Sequence, residues 1–95
     1  MTTAIWNGTV IARSDDTVIV EGNHYFPPES VVSDLLESTE RRSHCPWKGD
    51  ASYFDVVVDG ERSTNAAWTY VDPKDAASNI KDHVAFYPAV TVTDA

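Results

Sequence analysis

Eight consecutive residues, Ala51-Ser52-Tyr53-Phe54-Asp55-Val56-Val57-Val58, run directly into Asp59-Gly60. Aromatic and β-branched side chains suit a pleated, half-buried strand. Asp-Gly supplies the positive φ angles of a two-residue hairpin turn. The chain therefore turns back on itself here. A return strand begins near Arg62, and Asn65-Ala66-Ala67-Trp68-Thr69-Tyr70-Val71 continues it or forms a further strand. A hairpin alone is marginal in water, so other strands must join it.

The N-terminal sequence offers them. Ala4-Ile5-Trp6 is a short strand and Asn7-Gly8 a second hairpin turn. Thr9-Val10-Ile11-Ala12-Arg13 follows, then a Ser14-Asp15-Asp16 turn, then Thr17-Val18-Ile19-Val20-Glu21 closed by Gly22-Asn23. With the brief extended piece His24-Tyr25-Phe26, the first 26 residues read as a β-meander. Pro27-Pro28 then breaks the sheet. Pro28 suits the first turn of a helix, Glu29 its positive end, and Val31, Val32, Leu35 and Leu36 one apolar face. This predicts a helix near 28–37, followed by a polar loop over Glu40-Arg41-Arg42-Ser43-His44. Asp72-Pro73-Lys74-Asp75 reads as the start of a short helix near 73–81, with Ala76, Ala77 and Ile80 inward. Val84-Ala85-Phe86-Tyr87 and Val90-Thr91-Val92 are closing strands, and Thr93-Asp94-Ala95 is expected to fray. There is no regular β-α-β alternation, which excludes a doubly wound nucleotide fold. The expected class is mainly β: compact antiparallel sheets, barrel-like or split into two small sheets.

Ninety-five residues without a repeat, linker or low-complexity stretch fit a single domain, 1–95. Seven Lys and Arg against 15 Asp and Glu leave a net charge of -8. Phosphate neutralisation needs a basic face, so nucleic acid is excluded as a partner, as is an anionic membrane surface. No apolar run is long enough for a transmembrane helix. Met1-Thr2-Thr3-Ala4-Ile5-Trp6 has neither the basic nor the apolar region of a signal peptide, which points to the cytoplasm. Cys45 is the single cysteine. It rules out an internal disulfide and, with no Cys-x-x-Cys pair, a thiolate zinc site. No motif asks for a metal or a cofactor.

The run that stands out chemically is Cys45-Pro46-Trp47-Lys48-Gly49. Pro46 holds Cys45 extended, Gly49 lets the chain turn back, and Trp47 offers a flat surface with one donor. Lys48, Arg41, Arg42 and His44 make a positive island around the one thiol of an acidic chain. Such an island favours a thiolate and suits an anionic ligand. Cys45 is accordingly a candidate nucleophile; read blandly, it is a small buried hydrophobe. His44 is a poor partner for it, because neighbours on an extended chain point opposite ways. His24-Tyr25-Phe26-Pro27 and Asn65-Ala66-Ala67-Trp68 are the next candidates, and His83 with Phe86-Tyr87 follows. No G-x-S-x-G elbow, His-Glu-x-x-His or Walker A loop is present.

Taken together, Val20-Glu21-Gly22-Asn23-His24-Tyr25-Phe26-Pro27, Cys45-Pro46-Trp47-Lys48-Gly49 with Ala51-Ser52-Tyr53, Ala67-Trp68, and Ile80-Lys81-Asp82-His83-Val84-Ala85-Phe86-Tyr87 resemble the family catalogued as domain of unknown function 427. The resemblance runs from Trp6 to Val92. It implies a compact, mostly-β, β-tent-like domain. The family also carries a nucleotidyltransferase family 9 label. Nucleotidyl transfer needs acids that hold Mg²⁺ and basic groups that hold phosphates. Here the nearest acidic pairs, Asp15-Asp16 and Asp72-x-x-Asp75, read as a turn and a helix cap.

Three functions stay open. The first is a small-ligand binding module with ligand-binding residues His24, Tyr25, Trp47, Lys48, Tyr53 and Trp68, its small-molecule partner carrying an anionic group. The second is a thiol-dependent enzyme or redox protein using Cys45. The third is a protein-interaction module, monomeric or homodimeric.

Overall fold

The structure, a computed structural model, describes residues 1–94. It consists of nine antiparallel strands and three short 3-10 segments. Strands β1 (Thr2–Trp6), β2 (Thr9–Ser14) and β9 (Thr91–Asp94) form one sheet in the order β2-β1-β9. Strands β5 (Leu36–Cys45), β6 (Gly49–Val58), β7 (Glu61–Thr69) and β8 (Val84–Phe86) form a second, in sequence order. Strands β3 (Val18–Val20) and β4 (Asn23–Tyr25) make a small hairpin. Phe26 exchanges backbone bonds with Val84 at 2.8 and 2.9 Å, which docks that hairpin on the edge of β8. The sheets are open and do not close into a barrel. No helix among the described residues is long and apolar enough to cross a membrane.

The Xaa-Gly turns fold as expected. Asn7 and Asp59 take φ 51° and are followed by Gly8 at 74° and Gly60 at 80°. The third turn departs from expectation by one residue: it is Glu21-Gly22 (φ 53° and 80°) rather than Gly22-Asn23, so β3 ends at Val20 and β4 starts at Asn23.

Alternation along the strands gives the four-stranded sheet two buried faces. On one, Val56, Val58, Ala67, Val84 and Phe86 pack against Ala4, Ile11 and Ala12 of the three-stranded sheet. On the other, Ala51, Tyr53, Trp68, Tyr70 and Ala85 pack under Tyr25, Ala77 and Ile80. Tyr53 and Phe54 are neighbours on β6 and project into different cores.

Three further expectations are corrected. The helix near 28–37 is replaced by 3-10 turns at Pro28–Ser30 and Ser33–Leu35, and Leu36 already opens β5. Four apolar positions within six residues make too short a pattern to hold a helix against tertiary competition. Here the edge of β2 wins: Val31 bridges Ala12, and the Val32 N–H donates to the Ile11 carbonyl at 2.8 Å. The polar stretch 40–44 is the outer half of β5. It shows no apolar alternation because it is an exposed sheet edge, where charged side chains are the usual composition. The helix near 73–81 is a kinked 3-10 segment, Asp75–Ile80. Its buried residues are Ala77 and Ile80, three apart, as 3-10 periodicity demands. At the C-terminus, Thr93 and Asp94 pair with Thr3 and Thr2, and Ala95 lies outside the described residues.

Candidate functional site

Cys45 and Gly49 face each other across the β5–β6 hairpin, leaving Pro46-Trp47-Lys48 as its tip. Gly49 has φ +110°, and a Cβ there would sit 3.4 Å from the Asp72 carbonyl and 3.5 Å from the Lys74 nitrogen. The tip is clamped at that point. The Lys74 N–H donates to the Lys48 carbonyl at 2.9 Å, and Lys74 Nζ donates to the Pro46 carbonyl at 2.6 Å. The Lys48 side chain folds inward and is buried. Its ammonium pairs with Glu21 and lies 5.4 Å from the Trp47 ring centroid and 5.5 Å from that of Tyr70. Burial opposes the charge on Lys48, but the Glu21 hydrogen bond and the adjacent tyrosine rings outweigh it and raise its pKa. Lys48 is thus a charged rivet between the β3–β4 turn and the hairpin tip. Trp47 stays 41% exposed.

Tyr25, Tyr53 and Trp68 do converge. The Trp68 indole meets the Tyr25 ring edge-on at 6.1 Å and donates its N–H to the Tyr25 hydroxyl at 3.2 Å. Tyr53 is the cross-strand partner of Trp68. Tyr87 completes the group, 4.7 Å from Trp68 and nearly parallel to Tyr53 at 6.3 Å. Tyr25, Tyr53 and Trp68 are buried, so they fill the second core together with Tyr70. His24 alternates away from Tyr25, and its Nδ1 lies 2.9 Å from Thr17 Oγ1. Cys45 is half-buried against the rim of the same core. Among the described residues no histidine bonds to it: His44 Nδ1 is 2.7 Å from Asp50 Oδ1, and His83 Nδ1 is 2.9 Å from the Lys81 carbonyl. No group of three or more His, Cys, Asp or Glu among the described residues is placed to hold a metal ion.

Open space lies elsewhere on the same hairpin. A cleft of about 610 Å³ is lined by Arg42, Ser43, His44, Asp50, Ser52, Val71 and Asp72. Arg42 pairs with Ser52 across the strands, and His44 with Asp50. These positions project opposite to Tyr53. Further along that face, Phe54, Val56 and Val58 are covered by the first core, whereas Asp50 is exposed and Ser52 half-buried. Arg42 Nη1 donates to the Thr39 and Arg41 carbonyls at 2.8 and 2.7 Å, which fixes the guanidinium at the rim. Sequence reasoning placed Arg42 and His44 in a positive island but missed Asp50, Ser52, Val71 and Asp72. The β5–β6 register is the signal that finds Asp50 and Ser52, whereas Val71 and Asp72 follow the end of β7 and no sequence signal ties them to the hairpin.

The family model described as domain of unknown function (DUF427) matches residues 1–94. The chain belongs to that family. No curated protein matches it. In this DUF427 chain the segments that carry the resemblance meet in space. Tyr25, Ala51, Tyr53, Trp68, Ile80 and Ala85 come from four separate stretches of sequence, and all belong to the second core, with Cys45 at its rim. That core sets the seat of the hairpin whose outer face carries the cleft.

Proposed function

We propose that this DUF427 domain is a small-ligand binding module, with its site in the cleft on the flanks of the Cys45–Gly49 hairpin. The carrying observation is the cleft itself: about 610 Å³, with Arg42 and His44 on one strand and Asp50 and Asp72 among its acceptors. That volume is in the range of small-molecule sites. A ligand with an anionic group and a hydroxyl or amine suits it, the anion toward Arg42 and the donor toward the carboxylates. Val71, 54% exposed, offers an apolar contact. The aromatic residues act indirectly, by fixing the hairpin.

The test is a panel of hydroxy acids, amino acids and sugar phosphates, scored by thermal shift on the full chain. At least one class should raise the melting temperature in a dose-dependent way. Arg42→Ala and Asp50→Asn should each weaken that ligand at least about tenfold, the worth of one charge-assisted hydrogen bond. Unchanged affinity in both variants would remove the cleft from consideration.

A further inference from the structure

Four polar groups meet on the aromatic face of the β5–β6 hairpin, and of these only Ser43 also lines the cleft. Ser43 Oγ lies 2.8 Å from the Tyr53 hydroxyl. The Arg41 guanidinium carbon sits 4.9 Å from the Tyr53 ring centroid. Tyr87 runs nearly parallel to Tyr53, at 13° between planes. Arg41, Ser43 and Tyr87 are exposed, and only Tyr53 is buried beneath them. In a chain of net charge -8, Arg41 has no carboxylate partner among the described residues.

We propose that Arg41, Ser43, Tyr53 and Tyr87 form a second ligand site, built for an oxyanion of carboxylate or phosphate type. The guanidinium supplies charge and the three hydroxyls supply donors, grouped around the Tyr53 hydroxyl, with Ser43 Oγ 2.8 Å from it. Trp68, 4.7 Å from Tyr87, gives an apolar floor beside it. The Tyr53 oxygen already reports the local field. Burial pushes its pKa up, yet the hydrogen bonds from Ser43, Tyr87 and Arg41 and the guanidinium charge hold it below the ordinary phenol value. Tyr87 is pushed the other way, by its hydrogen bond to Tyr53 and by burial. A bound oxyanion would collect the same donors, the Arg41 guanidinium and the hydroxyls beside it.

The experiment titrates the ¹⁵N-labelled full chain at neutral pH and constant ionic strength, with benzoate in one arm and inorganic phosphate in the other. Saturable shifts of the Trp68 indole N–H and the Ser43 amide are expected in at least one arm. The arm that responds identifies the oxyanion class. Arg41→Ala should weaken that response at least about tenfold, and Tyr87→Phe should weaken it measurably. Arg13→Ala, an exposed cation on β2, should behave as the parent chain. The proposal is overturned by no saturable shift up to about 100 mM, far above the millimolar range of a single charged contact. Equal weakening by Arg41→Ala and Arg13→Ala overturns it too, since that would be non-specific charge attraction.

Discussion

Asp55 Oδ1 accepts the backbone N–H of Asn65 at 2.7 Å. This bond closes the irregularity in the β6–β7 ladder, where the register shifts between Phe54 and Val56. Asn65 has φ 50°, and its side-chain oxygen accepts a hydrogen bond from Thr39 Oγ1 at 2.7 Å. Arg62 Nη1 donates to Asp55 Oδ2 at 2.7 Å. One buried carboxylate therefore ties β6 to β7 and, through Asn65, to β5. The Asn65 N–H holds its pKa down against the opposing effect of burial, with help from Arg62. Asp55→Ala leaves a half-buried N–H unpaired and should cost about 3 kcal/mol in urea unfolding. The sign with pH follows from the lowered pKa. The contribution is complete above the unfolded carboxyl value, about 3.9, and is lost as pH falls through the lower folded value. The stability gap between the parent chain and Asp55→Ala should narrow in acid and hold steady from about pH 5 upward.

The Glu21–Lys48 pair makes an opposite prediction. Lys48 is raised, so its contribution is complete below the unfolded lysine value, about 10.4, and is lost only as pH rises through the still higher folded one. Glu21→Ala strands a buried ammonium. Because Glu21 is itself 54% exposed, water replaces part of what is lost, and the cost should be about 1–2 kcal/mol rather than that of a fully buried pair. Lys48→Met keeps an apolar stem over Tyr70 without the charge and should cost less than Glu21→Ala. Thermal melts of the three proteins at neutral pH check that order.

The legible parts of this fold are those governed by local chemistry. Asn7-Gly8 and Asp59-Gly60 form hairpins because few other residues accept those φ values, and β6 is a strand because its side chains fit nothing else as well. What stayed hidden depends on partners distant in sequence. Val31 and Val32 look helical until the edge of β2 claims their backbone. Residues 40–44 look like a loop because an exposed edge strand needs no apolar face. Tyr25, Tyr53 and Trp68 come together in the second core, where they pack against one another. A sheet with two covered faces absorbs more aromatic side chains than one core would. The cleft is invisible in the sequence because it rests on a register, Arg42 with Ser52 and His44 with Asp50.

Tyr25→Phe isolates one hydrogen bond in the second core. Its hydroxyl accepts the Trp68 indole N–H at 3.2 Å, and the pair is buried. Removing the oxygen leaves that N–H unpaired while the ring packing survives. The cost should be about 1–2 kcal/mol in chemical denaturation. Trp68→Ala removes the ring as well and should cost about 3–5 kcal/mol.

Gly49 and Gly60 separate backbone strain from the placement of the site. Both have positive φ, +110° and +80°. At Gly60 nothing lies within 4 Å of an added Cβ, so Gly60→Ala should cost about 1–2 kcal/mol from conformation alone. At Gly49 the Cβ would reach only van der Waals contact with the backbone of Asp72 and Lys74, 3.4 and 3.5 Å away, but φ +110° lies outside the left-handed well, so the clamped hairpin backbone itself must shift to admit a side chain. Gly49→Ala should therefore cost more than Gly60→Ala. It should also displace Asp72, a wall of the cleft, and weaken any cleft ligand, whereas Gly60→Ala should leave affinity unchanged within about twofold. Denaturation midpoints and ligand titrations on the two variants test both halves. If Gly49→Ala lost stability while binding as tightly as the parent chain, the hairpin clamp and the cleft would be independent features.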